Sequence, residues 1–310
     1  MHEVNPLLPP QIRVLERGWL SSNNILFLEG ESATLVDSGY VSHAPQTVEL
    51  VRQALDGRRL ARIVNTHGHS DHIGGNAALQ REFGCSITVP HGIADAITTW
   101  DEDALLLTPS GQRGDRFLHD ASHHPGDEFE LGGLVWRAMH APGHDMDALV
   151  FYCDSKRLLI SGDALWRDGF GIQFAEIMGQ AAGLAATRQT LEAIGRLAVD
   201  VVIPGHGAPF GEFDDAMERA LRRVAAFEED PSRMARNAVK ACFTFNLLEL
   251  RRLPRDGLAE YLGGIAFFND INRRILRLSP EALADWLLTE LLRARVVELR
   301  DGDILPKQAA

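Results

Sequence analysis

From Thr66 to His72 the chain reads Thr-His-Gly-His-Ser-Asp-His, so six consecutive residues from His67 carry three imidazoles and a carboxylate. Neutral imidazole nitrogen and carboxylate oxygen are ligands that a borderline-soft divalent metal takes readily. On a tight loop the H-x-H spacing lets His67 and His69 point at one spot. Asp71 and His72 then point at a neighbouring one. A merely solvated polar loop gives no reason for four such side chains separated only by Gly68 and Ser70.

Three more ligand-type residues stand beside glycine. They are His144 in Ala141-Pro142-Gly143-His144, Asp163 in Ser161-Gly162-Asp163, and His206 in Pro204-Gly205-His206-Gly207. Each follows an apolar, strand-like run: Leu134 to Met139, Leu158 to Ile160, and Val199 to Ile203. Glycine lets the backbone turn sharply there. Side chains at successive strand ends converge on one sheet edge, where loops on a rigid scaffold carry function. The seven residues sit on four loops and suffice for two metal ions.

The elements that must position them are short. Strands are expected at Ile25 to Leu28, Ala33 to Val36, Arg62 to Asn65 and Ser86 to Val89. Helices are expected at Gly75 to Phe83, closed by Gly84, and at His91 to Trp100. Thr108 to Gly126 is long, polar and aperiodic, the character of a functional or mobile loop. Phe129 to His140 reads as a hairpin turning at Gly132-Gly133. A second hairpin joins Ala148–Cys153 to Arg157–Ile160. Ala181 to Leu197 is an amphipathic helix leading to the strand before His206. This order suits two sheets packed face to face with helices outside.

Beyond Phe213 the pattern turns helical. Helices are expected at Asp214 to Glu229, Ser232 to Leu250, Asp256 to Leu262 and Phe267 to Arg277. A last one starts at Ser279-Pro280, with Ser279 as N-cap and Pro280 in the first turn. Val296 to Leu299 and Ile304 to Pro306 then form a small hairpin, which makes the end of the chain winged-helix-like. The division expected is a metal-binding domain over residues 1–225 and a mainly helical domain over 226–310.

This constellation resembles the metallo-β-lactamase-fold superfamily of hydrolases. The resemblance covers roughly residues 20 to 215 and rests on H-x-H-x-D-H followed by Ile73-Gly74-Gly75, then P-G-H, G-D and P-G-H-G in the family's order. Asp37, in Thr34-Leu35-Val36-Asp37-Ser38-Gly39, matches the family's early pattern. The resemblance implies an α+β fold, a four-layer αββα sandwich. Several members carry a helical or winged-helix extension that closes over the site or makes a dimer, so a homodimer through the C-terminal domain is an option. By the same resemblance His67, His69 and His144 hold one metal, Asp71, His72 and His206 hold a second, and Asp163 bridges them.

Paired divalent ions about 3.5–4 Å apart can share a water and bring its pKa towards neutrality. The resulting bridging hydroxide is the nucleophile, so no Ser or Cys is needed. Asp71 is the catalytic candidate, orienting that hydroxide or carrying a proton. Zinc is the default metal, and iron or manganese also accept these ligands. Antibiotic-hydrolysing members usually lack a bridging Asp, so Asp163 points towards thioesterases of the glyoxalase II kind, lactonases, phosphodiesterases or nucleases. The glyoxalase II pattern after that Asp is not matched by Ala164-Leu165-Trp166-Arg167-Asp168. Family members also continue past P-G-H with Thr or Ser, where this chain has Asp145-Met146-Asp147-Ala148. These two acids either support His144 from behind, as hydrogen-bond partners of its ring, or form a solvated turn.

Composition narrows the partners. The 310 residues carry a net charge of −12, with 45% hydrophobic and 24% charged residues, ordinary for a water-soluble globular protein. Residues 231–310 hold 13 basic and 10 acidic residues, a net of +3, so residues 1–230 carry −15. An acidic catalytic half is a poor binder of polyanions, which makes nucleic acid an unexpected partner. No apolar run approaches the roughly 18 residues that span a bilayer. The N-terminus, Met1 to Pro6, lacks the marks of a leader, and three scattered cysteines suit a reducing compartment. A cytoplasmic protein is expected.

The expected function is a binuclear metal-dependent hydrolase for an ester, thioester or lactone bond of a small substrate. Its alternatives are a phosphodiesterase or nuclease with the same metals, an iron-dependent redox enzyme of the same fold, and a non-catalytic binding protein. Trp166, Phe170 and the C-terminal helices are expected to shape the pocket. His119, His123 and His124 in the long loop, His140, and the Asn269, Asn272, Arg273, Arg274 face are weaker candidates, each better read as structural or solvated, while Tyr152 on a strand fits either role.

Overall fold

A computed structural model describes residues 6–179 and 182–307 of the chain. The N-terminal Met1–Asn5 and the expected helix start at Ala181 lie outside the described residues.

Six strands form the first sheet in chain order: β1 (Ile12–Leu15), β2 (Asn24–Glu29), β3 (Ser32–Val36), β4 (Arg59–Val64), β5 (Ser86–Pro90) and β6 (Ala121–His123). The first three are antiparallel and the rest add in parallel. Five more form the second sheet: β7 (Glu128–Leu131), β8 (Leu134–His140), β9 (Leu149–Cys153), β10 (Leu158–Gly162) and β11 (Val201–Pro204). That sheet is ordered β11-β10-β9-β8-β7, and only β10–β11 is parallel, the crossover being the helix Gly183–Ile194.

Strand alternation divides the core into layers, because successive side chains point to opposite faces. Val36, Val64, Phe151, Ile160 and Ile203 point between the sheets and pack with Phe27 and Trp136. Their neighbours Leu35 and Ile63 point outward, onto Val51, Ala54 and Leu55 of the helix Ala44–Leu55 and Leu79 of the helix Asn76–Phe83. On the other side Tyr152, Leu159 and Val202 meet Leu191 and Ile194 of the crossover helix and Met217, Ala220 and Val224 of the helix Phe213–Glu229. The result is the αββα sandwich the sequence predicts.

The same outer core runs on into the C-terminal region. Helices Pro231–Leu250, Leu258–Gly263, Ala266–Ile271 and Pro280–Arg293 bury Val239, Phe243, Leu262, Phe267 and Leu287 in it. Ser279 caps its helix as expected, accepting from the Ala282 amide at 3.2 Å. The expected terminal hairpin is β13 (Val297–Arg300) with β14 (Asp303–Pro306), and β12 (Leu253–Pro254) pairs with β14 to give a third strand.

Several elements differ from expectation. The helix Ala44–Leu55 and the strand β1 have no counterpart in the reading above. Within the supposedly aperiodic Thr108 to Gly126 stretch the structure holds the end of a short helix, Leu107–Ser110, and the strand β6. The expected helix to Arg277 ends its α-helical part at Ile271 and continues as a π-turn over Asn272–Leu276.

Candidate metal centre

The segments that follow β4, β8, β10 and β11 meet at one end of the sandwich and bring all seven predicted residues together. They form two groups, His67 with His69 and His144, and Asp71 with His72, Asp163 and His206. Within each group the ligand-type atoms all lie within 4.8 Å of one another. Asp163 faces both: Oδ1 is 3.4 Å from His72 Nε2, and Oδ2 is 3.4 Å from His144 Nε2. His206 Nε2 is 3.0 Å from Asp71 Oδ2.

Local sequence explains the convergence. His69 precedes the short helix Ser70–Ile73, which turns Asp71 and His72 inward. That helix needs Gly74 and Gly75 after it, since a Cβ at either would stand 2.4 Å from the Val41 nitrogen or 2.2 Å from the Ser38 oxygen. A register shift between Ile160 and Gly162 ends β10, and Gly162 (φ +48°) swings Asp163 towards the other loops. A Cβ on Gly205 would lie 2.3 Å from Asp163 Oδ1, so only glycine leaves the carboxylate its place.

Hydrogen bonds fix which ring nitrogen faces inward. His72 Nδ1 donates to Asp37 Oδ2 at 2.7 Å, and His144 Nδ1 donates to the Ile172 carbonyl at 2.6 Å. Both rings therefore turn a lone pair on Nε2 to the centre. His144 Nε2 lies 2.7 Å from His69 Nδ1. The Nε2 atoms of His67 and His72 are buried and have no hydrogen-bond partner. Buried polar atoms are seldom left so, and inward-facing imidazole nitrogens beside two carboxylates suit divalent cations.

Protonation agrees with that donor set. Burial, reinforced by the neighbouring histidines, holds His67 well below its ordinary value. Burial and His144 push His69 down to about 4. Both rings are thus neutral near pH 7. Burial opposes charge on Asp163, but His206, His72 and His144 outweigh it and hold the carboxyl well below the usual range. Asp71 is lowered in the same way, His72 and His206 overcoming burial. His72 goes the other way: burial disfavours its charge, yet Asp37, Asp163 and Asp71 raise it well above the ordinary value. The carboxylates of Asp37, Asp71 and Asp163 thus favour positive charge at the second group.

The other candidates fall elsewhere. Phe170 is mostly buried core, against Phe227 and under the Arg223 guanidinium, and also lines a small cavity beside His144 and Asp163. Trp166 does border it, its indole N–H donating to Asp163 Oδ1 at 3.2 Å. Asp145 does not touch an imidazole; it accepts from the Gly68 amide at 3.2 Å and the Asp147 amide at 2.9 Å, tying the His144 loop to the H-x-H loop. Asp147 packs against Gly92. His123 stacks on Phe129, His124 stacks on His91, and His140 bonds the Met146 carbonyl. Tyr152 bonds the Ala198 carbonyl. Asn269 and Asn272 brace their own turns, and Arg273 pairs with Asp270. From the C-terminal region Phe267 packs on Phe174, which edges His69 at 5.0 Å. The sequence reading missed Trp19, stacked on His206, and the pairing of Asp37 with His72. A lone Trp in a turn carries no periodic signal, whereas the Asp37 motif was visible without its partner.

Comparison with known proteins follows this geometry. A family model described as the metallo-beta-lactamase superfamily matches residues 17–206. A hydroxyacylglutathione hydrolase of Nitrobacter winogradskyi is 33% identical over 133 residues, 42% of this chain and 44% of that protein. One from Rhodopseudomonas palustris is 30% identical over 141 residues, 44% of this chain and 48% of that protein. The chain thus spans about half the length of these curated relatives. A metallo-beta-lactamase family protein from Thermus thermophilus superposes with a TM-score of 0.59 at 19% identity, over 96% of this chain and 99% of that one. Likeness at that identity speaks for the fold.

Proposed function

The chain belongs to the metallo-beta-lactamase superfamily, and on that premise we propose that it is a binuclear metal-dependent hydrolase of an ester, thioester or lactone bond in a small substrate. The observation that carries this reading is the Asp163 carboxylate, within 3.4 Å of a ring nitrogen in each of the two histidine groups. In the proposal His67, His69 and His144 hold one ion, Asp71, His72 and His206 the other, and Asp163 is shared. Zinc is the ion proposed. Two such ions, when bound, supply Lewis-acid activation of water and of the scissile carbonyl.

The chain's own groups do the rest. Asp37 keeps the proton of His72 on Nδ1, and the Ile172 carbonyl does the same for His144, so the inward nitrogens stay free. Thr66 braces this arrangement, giving its amide and hydroxyl to Asp37 at 2.9 and 2.8 Å. The Trp166 indole steadies the shared carboxylate. Asp71, held ionised beside His206, is positioned to take up a proton from the attacking water. The relatives' name, hydroxyacylglutathione hydrolase, supports a thioester among the candidate bonds. We further read residues 1–225 as the catalytic domain and 226–310 as a winged-helix-like domain, and Phe267 reaching Phe174 supports its covering the site.

A panel of thioesters, lactones, alkyl esters, phosphodiesters and a β-lactam, run with metal-stripped and zinc-reloaded protein, tests this. Zinc-dependent turnover of a carboxylic ester, thioester or lactone is expected. Turnover confined to phosphodiesters overturns it.

A further inference from the structure

Trp19 is 61% exposed, one of the largest apolar side chains left open to water among the described residues. Its neighbour Leu20 is buried. One face of the Trp19 indole lies on His206, with ring centroids 5.4 Å apart and planes 19° from parallel. Trp166 stands edge-on to both, at 5.5 Å from Trp19 and 5.3 Å from His206.

The turn that carries Trp19 is built onto the loops of the metal centre. The Ser22 amide donates to the Asp71 carbonyl at 3.0 Å, and the Asn23 amide to the Gly205 carbonyl at 2.7 Å. The Asn23 side chain donates to the Pro204 and Gly207 carbonyls, at 3.0 and 2.7 Å. In return its oxygen accepts from the Arg17 amide at 3.1 Å. The open indole face is therefore held in place at the rim of the centre by the same backbone that presents Asp71 and His206.

The arginines that neighbour the two rings in the chain are both engaged. Arg17 turns its guanidinium away, to Asn24, Thr47 and Gln46, and Arg167 pairs with Glu212. A flat apolar surface without a free cation favours an uncharged π-face over a carboxylate-bearing group such as a glutathione peptide.

We propose that Trp19, flanked by Trp166, is a specificity-determining platform that stacks an uncharged aromatic group of the substrate's acyl portion. The proposal rests on the hydrolase reading only for the identity of the bond beside that group; the binding surface itself does not depend on it. Offset stacking plus cover of the exposed ring is worth roughly tenfold in affinity.

The test uses the full-length, zinc-loaded protein and two product-like probes, phenylacetate and acetate. Binding is followed by indole fluorescence and calorimetry on wild type, Trp19→Phe and Trp19→Ala, with circular dichroism to confirm folding. The expected result is phenylacetate bound at least tenfold more tightly than acetate, an advantage largely kept in Trp19→Phe and lost in Trp19→Ala. In turnover, the ratio of kcat/KM for methyl phenylacetate over methyl acetate falls about tenfold in Trp19→Ala, through KM. Equal binding of the two probes by wild type, or an aromatic advantage that survives in Trp19→Ala, overturns the platform. If no ester, thioester or lactone is turned over but the binding pattern holds, the platform stands and the hydrolase reading fails.

Discussion

Asp37→Asn separates orientation of a ligand from mere support of the fold. Asp37 has φ +57°, a left-handed conformation that Asn adopts as readily as Asp, so the backbone gains no strain. Its Oδ1 accepts from the Thr66 amide at 2.9 Å, and an amide N–H cannot turn away, so the Asn oxygen must stay there. The new NH2 group then occupies the Oδ2 position, facing the Thr66 hydroxyl and His72 Nδ1, which now lie 2.8 and 2.7 Å away. The hydroxyl can rotate its proton towards His67 Nδ1, 3.0 Å away. The imidazole has no such freedom. Its Nδ1 becomes an acceptor, and the proton moves to Nε2, the atom aimed at Asp163. A metal at the second group must then displace that proton or break the new hydrogen bond. Losing an outer partner of this kind costs roughly 10- to 100-fold in metal affinity, about 1.4–2.8 kcal/mol. Calorimetric titration of metal-stripped protein with zinc should show the Asp71–His72–Asp163–His206 site weakened by that factor. The His67–His69–His144 site should stay within about threefold. Equal weakening of both sites, or of neither, refutes the tautomer argument.

Three more outcomes follow from other contacts. Asp145→Ala removes the acceptor for the Gly68 amide; that amide should exchange with solvent about tenfold faster, reflecting roughly 1.5 kcal/mol for a partly exposed charged acceptor, as read by hydrogen-exchange NMR. Gly205→Ala drives a methyl into Asp163 Oδ1 and His72 Cε1; urea unfolding should show a loss of about 1–3 kcal/mol, and the purified protein should retain less metal, whereas a neutral result contradicts the packing described. Metal-stripped protein should lose stability as the pH falls from 6.5 towards 4. Over that window the unfolded chain binds a proton at His69 that the folded chain, with its value lowered to about 4, resists. Titration at His69 accounts for about 3 kcal/mol, so His69→Gln should flatten the pH dependence of the urea midpoint, and an unchanged slope counts against a neutral buried ring.

Much of this centre was legible in the sequence because its ligands are chemically unambiguous and lie in short, glycine-containing segments that follow strands. Apart from β1 and β6, the strands of both sheets were legible from their short apolar runs, as in Leu35–Val36 and Ile63–Val64, one residue for each core. The helix Ala44–Leu55 escaped because its apolar face is dilute: Thr47, Val51, Ala54 and Leu55 are its buried positions after Ala44. Its punctuation was readable all the same, with Pro45 in the first turn and a left-handed Asp56 before Gly57 at the end. Phe170 was assigned to the pocket on nearness to Asp163 in sequence, but the turn at Trp166–Gly169 reverses the chain and sends it mostly into the outer core. Trp19 and Asn23 could not be placed from sequence at all, since what makes their turn part of the site is hydrogen bonding from Ser22 to Asp71 and from Asn23 to Pro204, Gly205 and Gly207, far away in the chain. Asp145 and Asp147 look in sequence like a defect in a family motif. In space Asp145 replaces it with a carboxylate bond between two ligand-bearing loops.

The central claim is that one chain holds two divalent ions across the Asp163 carboxylate. Elemental analysis of the purified protein after exhaustive dialysis, expressed per chain for wild type and Asp163→Asn, tests it most directly. The account predicts two ions per wild-type chain, chiefly zinc, and fewer than two in the variant. One iron per chain, or an ion count that Asp163→Asn leaves unchanged, would contradict it.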